Sequence, residues 1–169
     1  QMIEMARACL TRGFKVLILT NAMRPMMRPK MQNGLRALNA EFGALLTLRI
    51  SVDHHSEALH DEERGSGSFA RTLIGMSWLR DQGIRMAVAG RSVWDDTEAQ
   101  SRAGYQAFFA SNGFDIDAHD PSRLINLGTA YARLGKTADA QTAYKAAITS
   151  DIRYDVELAN GTYMDSRWA

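Results

Sequence analysis

The sequence has little cysteine, little proline and no long apolar run, and each shortage narrows what the chain can be. It contains one cysteine, Cys9, and three prolines among 169 residues. A single thiol excludes an internal disulfide and any metal site that needs several cysteines of this chain. No stretch approaches the roughly 18 apolar residues of a transmembrane helix. The formal net charge of +1 predicts no electrostatic preference for nucleic acid or a membrane surface.

The composition is otherwise that of an ordinary globular domain, with 46% hydrophobic and 23% charged residues. A chain of this length suits one domain, or one domain and part of another. No basic segment followed by an apolar one opens the chain, so the sequence predicts a cytoplasmic protein. Residues 2–10 (MIEMARACL) are helical in pattern from the outset, which suggests a fragment whose beginning is missing.

Helix-like and strand-like patterns alternate along the first two thirds of the chain. Short aliphatic runs predict strands, and amphipathic stretches that end at glycine predict helices. The predicted strands are 15–20 (KVLILT), 45–53 (LLTLRISVD) and 84–90 (IRMAVAG), and the predicted helices are 2–12, 34–42, 68–82 and 95–112, with a loop over 21–32. The unbroken run KVLILT is typical of a strand buried on both faces. This alternation predicts right-handed βαβ units, a parallel sheet, and ligands at the carboxyl ends of its strands.

The loop that leaves the second predicted strand, residues 50–69 (ISVDHHSEALHDEERGSGSF), has several interpretations. Its histidines and carboxylates are metal-ligand types, but His54 and His55 would point to opposite sides of an extended segment, which argues against a shared metal. A solvated acidic loop that caps the next helix, with Ser66 or Ser68 as the N-cap, is a simpler interpretation. The glycine–serine repeat could also offer backbone N–H groups to an anion, although it fits no phosphate-loop pattern.

A further interpretation rests on a family resemblance. The order ISVD, RGSGSF and LRDQG resembles the fourth strand and helix of radical S-adenosylmethionine (radical SAM) enzymes, which form a six-unit partial barrel. The segments EMARACLTRGFKVLILTNAM and GIRMAVAGRSV resemble the parts before and after, so the resemblance covers about residues 2–116. The resemblance implies S-adenosylmethionine and a [4Fe–4S] cluster as cofactors. It also implies, as the parent reaction, reductive cleavage of S-adenosylmethionine to a 5′-deoxyadenosyl radical. The family's three clustered cysteines are absent from this chain, so we expect no such reaction from the chain alone.

The resemblance also implies cofactor-binding roles for four residues. Asn21, after the third barrel strand, resembles the polar residue that faces the cofactor there. Ser51 and Asp53 end the fourth strand, where the family contacts the ribose or the methionine carboxylate. Arg64 matches an arginine that pairs with this carboxylate, a task for which its planar fork is suited. The structural alternatives are a small core residue for Ser51, a cap for Asp53, and a surface ion pair with a neighbouring glutamate for Arg64.

The pattern changes after about residue 118, and over residues 124–150 two helices are predicted and no strand. The segment 121–154 resembles one tetratricopeptide (TPR) repeat, through small and large residues at matching positions: Leu124, Leu127, Gly128, Tyr131, Ala140, Tyr144 and Ala147. A single repeat cannot bury its apolar face alone and needs neighbours or a host surface, so a protein partner at this hairpin is one expectation. The tail predicts a β-hairpin around Asn160-Gly161. The predicted domains are therefore 1–118, 119–154 and 155–169.

Together these patterns predict an α/β fold of three parallel strands with helices, a partial radical-SAM barrel, followed by a TPR-like helical hairpin. The predicted function is that of a radical SAM enzyme fragment, inactive alone. The alternatives are a non-enzymatic interaction module that uses the hairpin, or an artificial join of two unrelated pieces. The sequence does not identify a substrate, and a peptide or protein is among the candidates. Self-association is expected through the two open sheet edges.

Overall fold

The computed structural model describes residues 1–91, 94 and 96–120. Its elements are α1 (Met2–Thr11), β1 (Val16–Thr20), α2 (Pro29–Phe42), a 3₁₀ turn (Gly43–Leu45), β2 (Leu46–Ser51), α3 (Glu57–Arg64), α4 (Ser68–Asp81), β3 (Met86–Ala89) and α5 (Glu98–Ser111). The predicted α/β class is confirmed. The TPR-like repeat predicted over 121–154 and the tail predicted over 155–169 lie outside the described residues.

The three strands form one parallel sheet in the order β1-β2-β3. Val16 is in register with Leu46 on one side of β2, and Leu48 is in register with Met86 on the other. Strand order therefore follows chain order, and the predicted parallel sheet is confirmed. Because all strands run the same way, their carboxyl ends lie along one edge of the sheet.

The two faces of the sheet differ in cover. One face is apolar and buried, and it carries Leu46, Leu48, Ile50, Met86 and Val88. The opposite face leaves Leu17 45% exposed and Leu19 62% exposed. The prediction that KVLILT is buried on both faces is therefore wrong, because β1 is an edge strand of the described sheet and alternates in burial. The expected self-association through open edges stays a prediction.

Helix α2 begins five residues earlier than the sequence pattern predicts. Pro29 occupies its first turn, where the ring's fixed φ suits a helix and the missing N–H costs no hydrogen bond. The helix then continues through Gly34, where a Cβ would lie 2.6 Å from Cγ1 of Ile3. Gly34 thus lets α1 pack closely on α2, and the prediction that residues 29–32 belong to a loop is wrong.

Contacts divide the chain into two compact units, of which the first comprises Gln1–Ala89 and Ala107–Ile116. Its largest fully buried apolar side chains come from helices and strands alike: Leu10, Leu35, Leu38, Leu46, Leu48, Ile50, Met76 and Leu79. An aromatic group adds to this core, since Phe108 contacts both Phe69 and Phe114 with ring centroids 5.5 and 5.9 Å apart. Such dispersed apolar burial is the main stabilising contribution to a domain of this kind.

The second unit comprises Gly90–Gln106 and the residues from Asp117 onward. In its described part, Arg102 forms an ion pair with Glu98 and donates to the Ala118 carbonyl at 3.1 Å. The Ala118 N–H donates to Oε1 of Gln106 at 3.0 Å. These bonds fasten residue 118 to α5. Across both units, no helix of the described residues is long and apolar enough to cross a membrane.

Candidate functional site at the end of the second strand

Helix α3 builds the region that follows β2, and the sequence analysis did not predict it. Ser56 stands at its N-cap position in extended conformation, Glu57 lies in its first turn, and Gly65 ends it with a φ of 91°. Glu57 in the first turn and Arg64 in the last turn both complement the helix dipole. Only His60 of this helix is buried. Since residues four apart share one face of a helix, His60 and Arg64 face the same way.

Asp53 and Arg64 form a bidentate ion pair at the carboxyl end of β2. Nε of Arg64 donates to Oδ2 of Asp53 at 2.6 Å, and Nη2 donates to Oδ1 at 2.8 Å. The Asp53 side chain is 3% exposed and that of Arg64 24% exposed. Two parallel charge-assisted bonds fix the plane of the guanidinium as well as its position. Nη1 of Arg64 has no hydrogen-bond partner among the described residues, so one edge of the guanidinium remains available.

His60 contacts this pair through a hydrogen bond to the backbone of Asp53. The Asp53 N–H donates to Nδ1 of His60 at 3.2 Å, and the imidazole is completely buried. Its other nitrogen, Nε2, is also buried and has no hydrogen-bond partner within the described part of the chain. The ring meets Phe69 edge to face, with centroids 5.4 Å apart. Burial, more than any neighbouring charge, holds the pKa of His60 below its ordinary value.

Asp61 has a different task, because its carboxylate occupies the N-terminus of α4. It accepts hydrogen bonds from the Gly67 N–H at 2.5 Å, the Phe69 N–H at 2.8 Å and the Ser68 hydroxyl at 2.9 Å. The Phe69 N–H contributes most to holding the pKa of Asp61 below its ordinary value, with the Gly67 N–H and the Ser68 hydroxyl acting in the same direction. The backbone N–H groups of Gly67 and Phe69, which an external anion would need, are thus already used by the chain.

The prediction that Ser66 or Ser68 is the N-cap of α4 is wrong. The N-cap is Gly67, whose left-handed φ of 72° suits glycine, and Ser68 is the first helical residue. The Asp61 carboxylate caps the helix in place of a serine hydroxyl. It is charged and accepts hydrogen bonds from the backbone N–H groups of both Gly67 and Phe69.

The adjacent histidines lie together, contrary to expectation. The ring centroids of His54 and His55 are 4.0 Å apart, with 31° between the ring planes. The expectation assumed an extended backbone, but the chain bends at residues 53, 55 and 56. Nδ1 of His54 accepts from the Ser56 N–H at 2.9 Å and lies 2.8 Å from the Ser56 hydroxyl. His54 thus closes the turn that leads into α3.

The other two predicted cofactor-binding residues lie at the same edge of the sheet. Ser51 is the last residue of β2, in register with Ala89, and its half-buried side chain shares the face of Leu19. Asn21 directly follows β1, and its side-chain oxygen accepts from the Met23 N–H at 3.1 Å. The structure therefore joins Asp53 to Arg64 directly, and Ser51 lies two residues before Asp53 in the chain. Asn21 bonds within its own loop and to α4.

The chain matches no protein-family model, no curated protein and no solved structure.

His60 and Asp61 are the two residues whose roles the sequence analysis missed. The segment SEALHDEERG contains signals for a short helix: a serine N-cap, an acidic first turn and a glycine stop. Once that helix is assumed, the spacing of His60 and Arg64 places both on the face that turns back towards β2. Asp61 then lies one helical turn before the glycine–serine repeat, within reach of the next helix.

Proposed function

We propose that this chain contributes later βα units of a radical SAM partial barrel, and that Arg64 binds the carboxylate of the methionine moiety of S-adenosylmethionine. One observation carries the proposal: Asp53 holds Arg64 by Nε and Nη2 at the carboxyl end of the middle strand, with Nη1 left without a partner among the described residues. Carboxyl ends of parallel strands are where such sheets bind ligands. The strand order β1-β2-β3 supports the barrel part of the proposal.

Within this proposal the predicted residues take distinct parts. Asp53 is too deeply buried to meet a ligand and acts as the residue that orients Arg64. The edge of Arg64 formed by Nη1 and Nη2 receives the carboxylate, because a guanidinium can serve two carboxylates on different edges. Ser51 and Asn21 offer a hydroxyl and an amide at the same edge of the sheet, where ribose hydroxyls need partners.

The second cofactor of the family does not fit the residues of this chain. A [4Fe–4S] cluster is held by several thiolates, whereas the chain has only Cys9, which is exposed on α1. In the family, S-adenosylmethionine supplies the 5′-deoxyadenosyl radical once it is reduced. Here the proposal concerns recognition of its carboxylate alone.

Calorimetric titration with two nucleosides tests the proposal. S-Adenosylmethionine carries the carboxylate, and 5′-methylthioadenosine is the same nucleoside without it. We expect R64Q to weaken binding of the first by about tenfold or more, as loss of a charge-assisted bond implies, and to leave the second unchanged. R12Q is the matched control, since Arg12 is exposed and its Nη1 donates to the Ala8 carbonyl. Equal affinity of wild type and R64Q for S-adenosylmethionine, or no binding at all, would contradict the proposal.

A further inference from the structure

His60 is an unusual residue to find completely buried on a short helix. It is the one side chain of α3 that is fully buried, where a leucine or alanine would ordinarily pack. Its Nδ1 accepts from the Asp53 N–H, and its Nε2 has no partner among the described residues. A buried polar atom without a partner destabilises the fold, so the ring needs a reason to be a histidine.

The hydrogen bond from Asp53 determines the protonation state of the ring. An imidazole nitrogen that accepts a bond carries no proton, so the neutral ring holds its proton on Nε2. Protonation would place a second proton on Nδ1, where it would face the N–H of Asp53. Donor would then oppose donor, and the bond that fixes the Asp53 backbone would be lost.

The charged groups around the ring act in both directions. Asp53, at the end of β2, and Asp61, on α3, favour the protonated form, while Arg64 on α3 and His54 in the loop oppose it. Phe69 of α4 also contacts the ring, but it carries no charge. Burial adds to the opposition and is the largest influence, so the pKa lies below its ordinary value of 6.5. The ring is therefore mainly neutral at neutral pH and gains its second proton at a lower pH than an exposed imidazole does.

We propose that His60 is a positioning residue that holds the Asp53–Arg64 pair in place only while its ring is neutral, so that carboxylate binding at Arg64 weakens as the pH falls. This inference rests on the proposed function of Arg64. The path is short: Nδ1 of His60 fixes the Asp53 backbone, the Asp53 carboxylate fixes Nε and Nη2 of Arg64, and Nη1 meets the ligand. Protonation of the ring releases the first of these contacts.

The affinity of S-adenosylmethionine, measured by calorimetry from about pH 7.5 to about pH 5, tests this step. Below the pKa of His60 the competent fraction, and with it the affinity, should fall by up to about tenfold per pH unit. In H60N the Oδ1 atom can accept the Asp53 N–H but does not titrate, so the affinity should be nearly independent of pH. H60L lacks an acceptor and should bind weakly throughout. H119N removes an exposed histidine and should behave as wild type.

A second measurement needs no ligand and separates failure of this inference from failure of the proposed function. Nitrogen-15 NMR of the full chain distinguishes the Nε2–H tautomer from the protonated ring, and it also reports the Arg64 Nε–H. We expect protection of the Arg64 Nε–H from solvent exchange to be lost with the same midpoint as His60 protonation. An Arg64 signal that stays protected while His60 titrates, or a His60 ring protonated on Nδ1 at neutral pH, would overturn the inference. If the NMR result holds but no nucleoside binds, only the proposed function fails.

Discussion

The loops that follow β1 and β2 begin at the same edge of the sheet, but different kinds of contact hold them in place. The first loop is held by close backbone packing: Ala22 is fully buried with a left-handed φ of 56°, and the Thr72 hydroxyl donates to the Asn21 carbonyl at 3.1 Å. The second is held by contacts that depend on charge state: the Asp53–Arg64 ion pair, and the hydrogen bond from the Asp53 N–H to the neutral His60 ring. Packing of the first kind tolerates a change of pH but no change of volume. Charge-based fastening of the second kind should show the reverse.

The largest expected effect comes from adding volume beneath the first loop. A Cβ on Gly75 would lie 1.8 Å from the Ala22 carbonyl oxygen and 2.8 Å from its carbonyl carbon. These are backbone atoms, so the loop or α4 must move, and G75A should lower the free energy of unfolding by about 3 kcal/mol or more. Urea denaturation measures this. G43A is the matched control, because Gly43 has a helical φ of −47° and a Cβ there would lie 3.2 Å from Oδ1 of Asn39, the end of a flexible side chain. Equal stability of the two variants would refute close packing at Gly75.

The second loop should respond most to loss of its central charge. D53N leaves Arg64 without a counter-charge in a site where the pair is mostly buried, and should cost about 2 kcal/mol. D81N is a matched control, since the Arg80–Asp81 pair is 40% and 59% exposed and should contribute less than about 1 kcal/mol. The double variant D53N/R64Q should recover part of the loss, because it no longer leaves a charge unpaired. If D53N and D81N cost the same, the pair does not fasten the loop.

The contrast between the loops also explains what the sequence could and could not predict. Strands β1 to β3 and helix α4 are marked by aliphatic runs and glycine stops, and their predicted bounds fall close to the observed ones. Helix α3 was missed because its only buried side chain is a histidine, so the apolar periodicity that marks a helix is absent.

The site itself was only partly predictable for a related reason. Asp53 and Arg64 were both selected as candidates, but their pairing depends on α3, which turns Arg64 back over a separation of 11 residues. Likewise, the exposed face of β1 follows from its edge position in the sheet, which depends on its neighbours and not on its own composition. The periodicity of a sequence predicts which face of a single helix or strand is buried. The Asp53–Arg64 pair and the exposed face of β1 depend instead on how separate elements pack together.

The smallest expected effect is a loss of folding stability at acidic pH, and it should involve the second loop but not the first. The pKa of His60 is lowered from 6.5 in the folded chain, so the unfolded chain binds more protons just below that pH and stability falls as the pH drops through this window. The pKa of Asp61 is lowered from 3.8, so its contribution is complete above that pH and is lost as the pH falls further. H60N should flatten the first decline and D61N the second.

Amide hydrogen exchange measures the opening of both loops in one sample, over the pH range in which His60 becomes protonated. The Asp53 N–H, bonded to His60, should lose protection as the pH falls below 6.5, beyond the change that intrinsic exchange chemistry gives. The Ala22 N–H donates to the Thr20 hydroxyl at 3.0 Å and should not, because no titrating group takes part in that bond. Parallel loss of protection at both amides would mean that acid loosens the whole edge of the sheet. Loss at Asp53 alone would show that the charge-fastened loop opens independently of its neighbour.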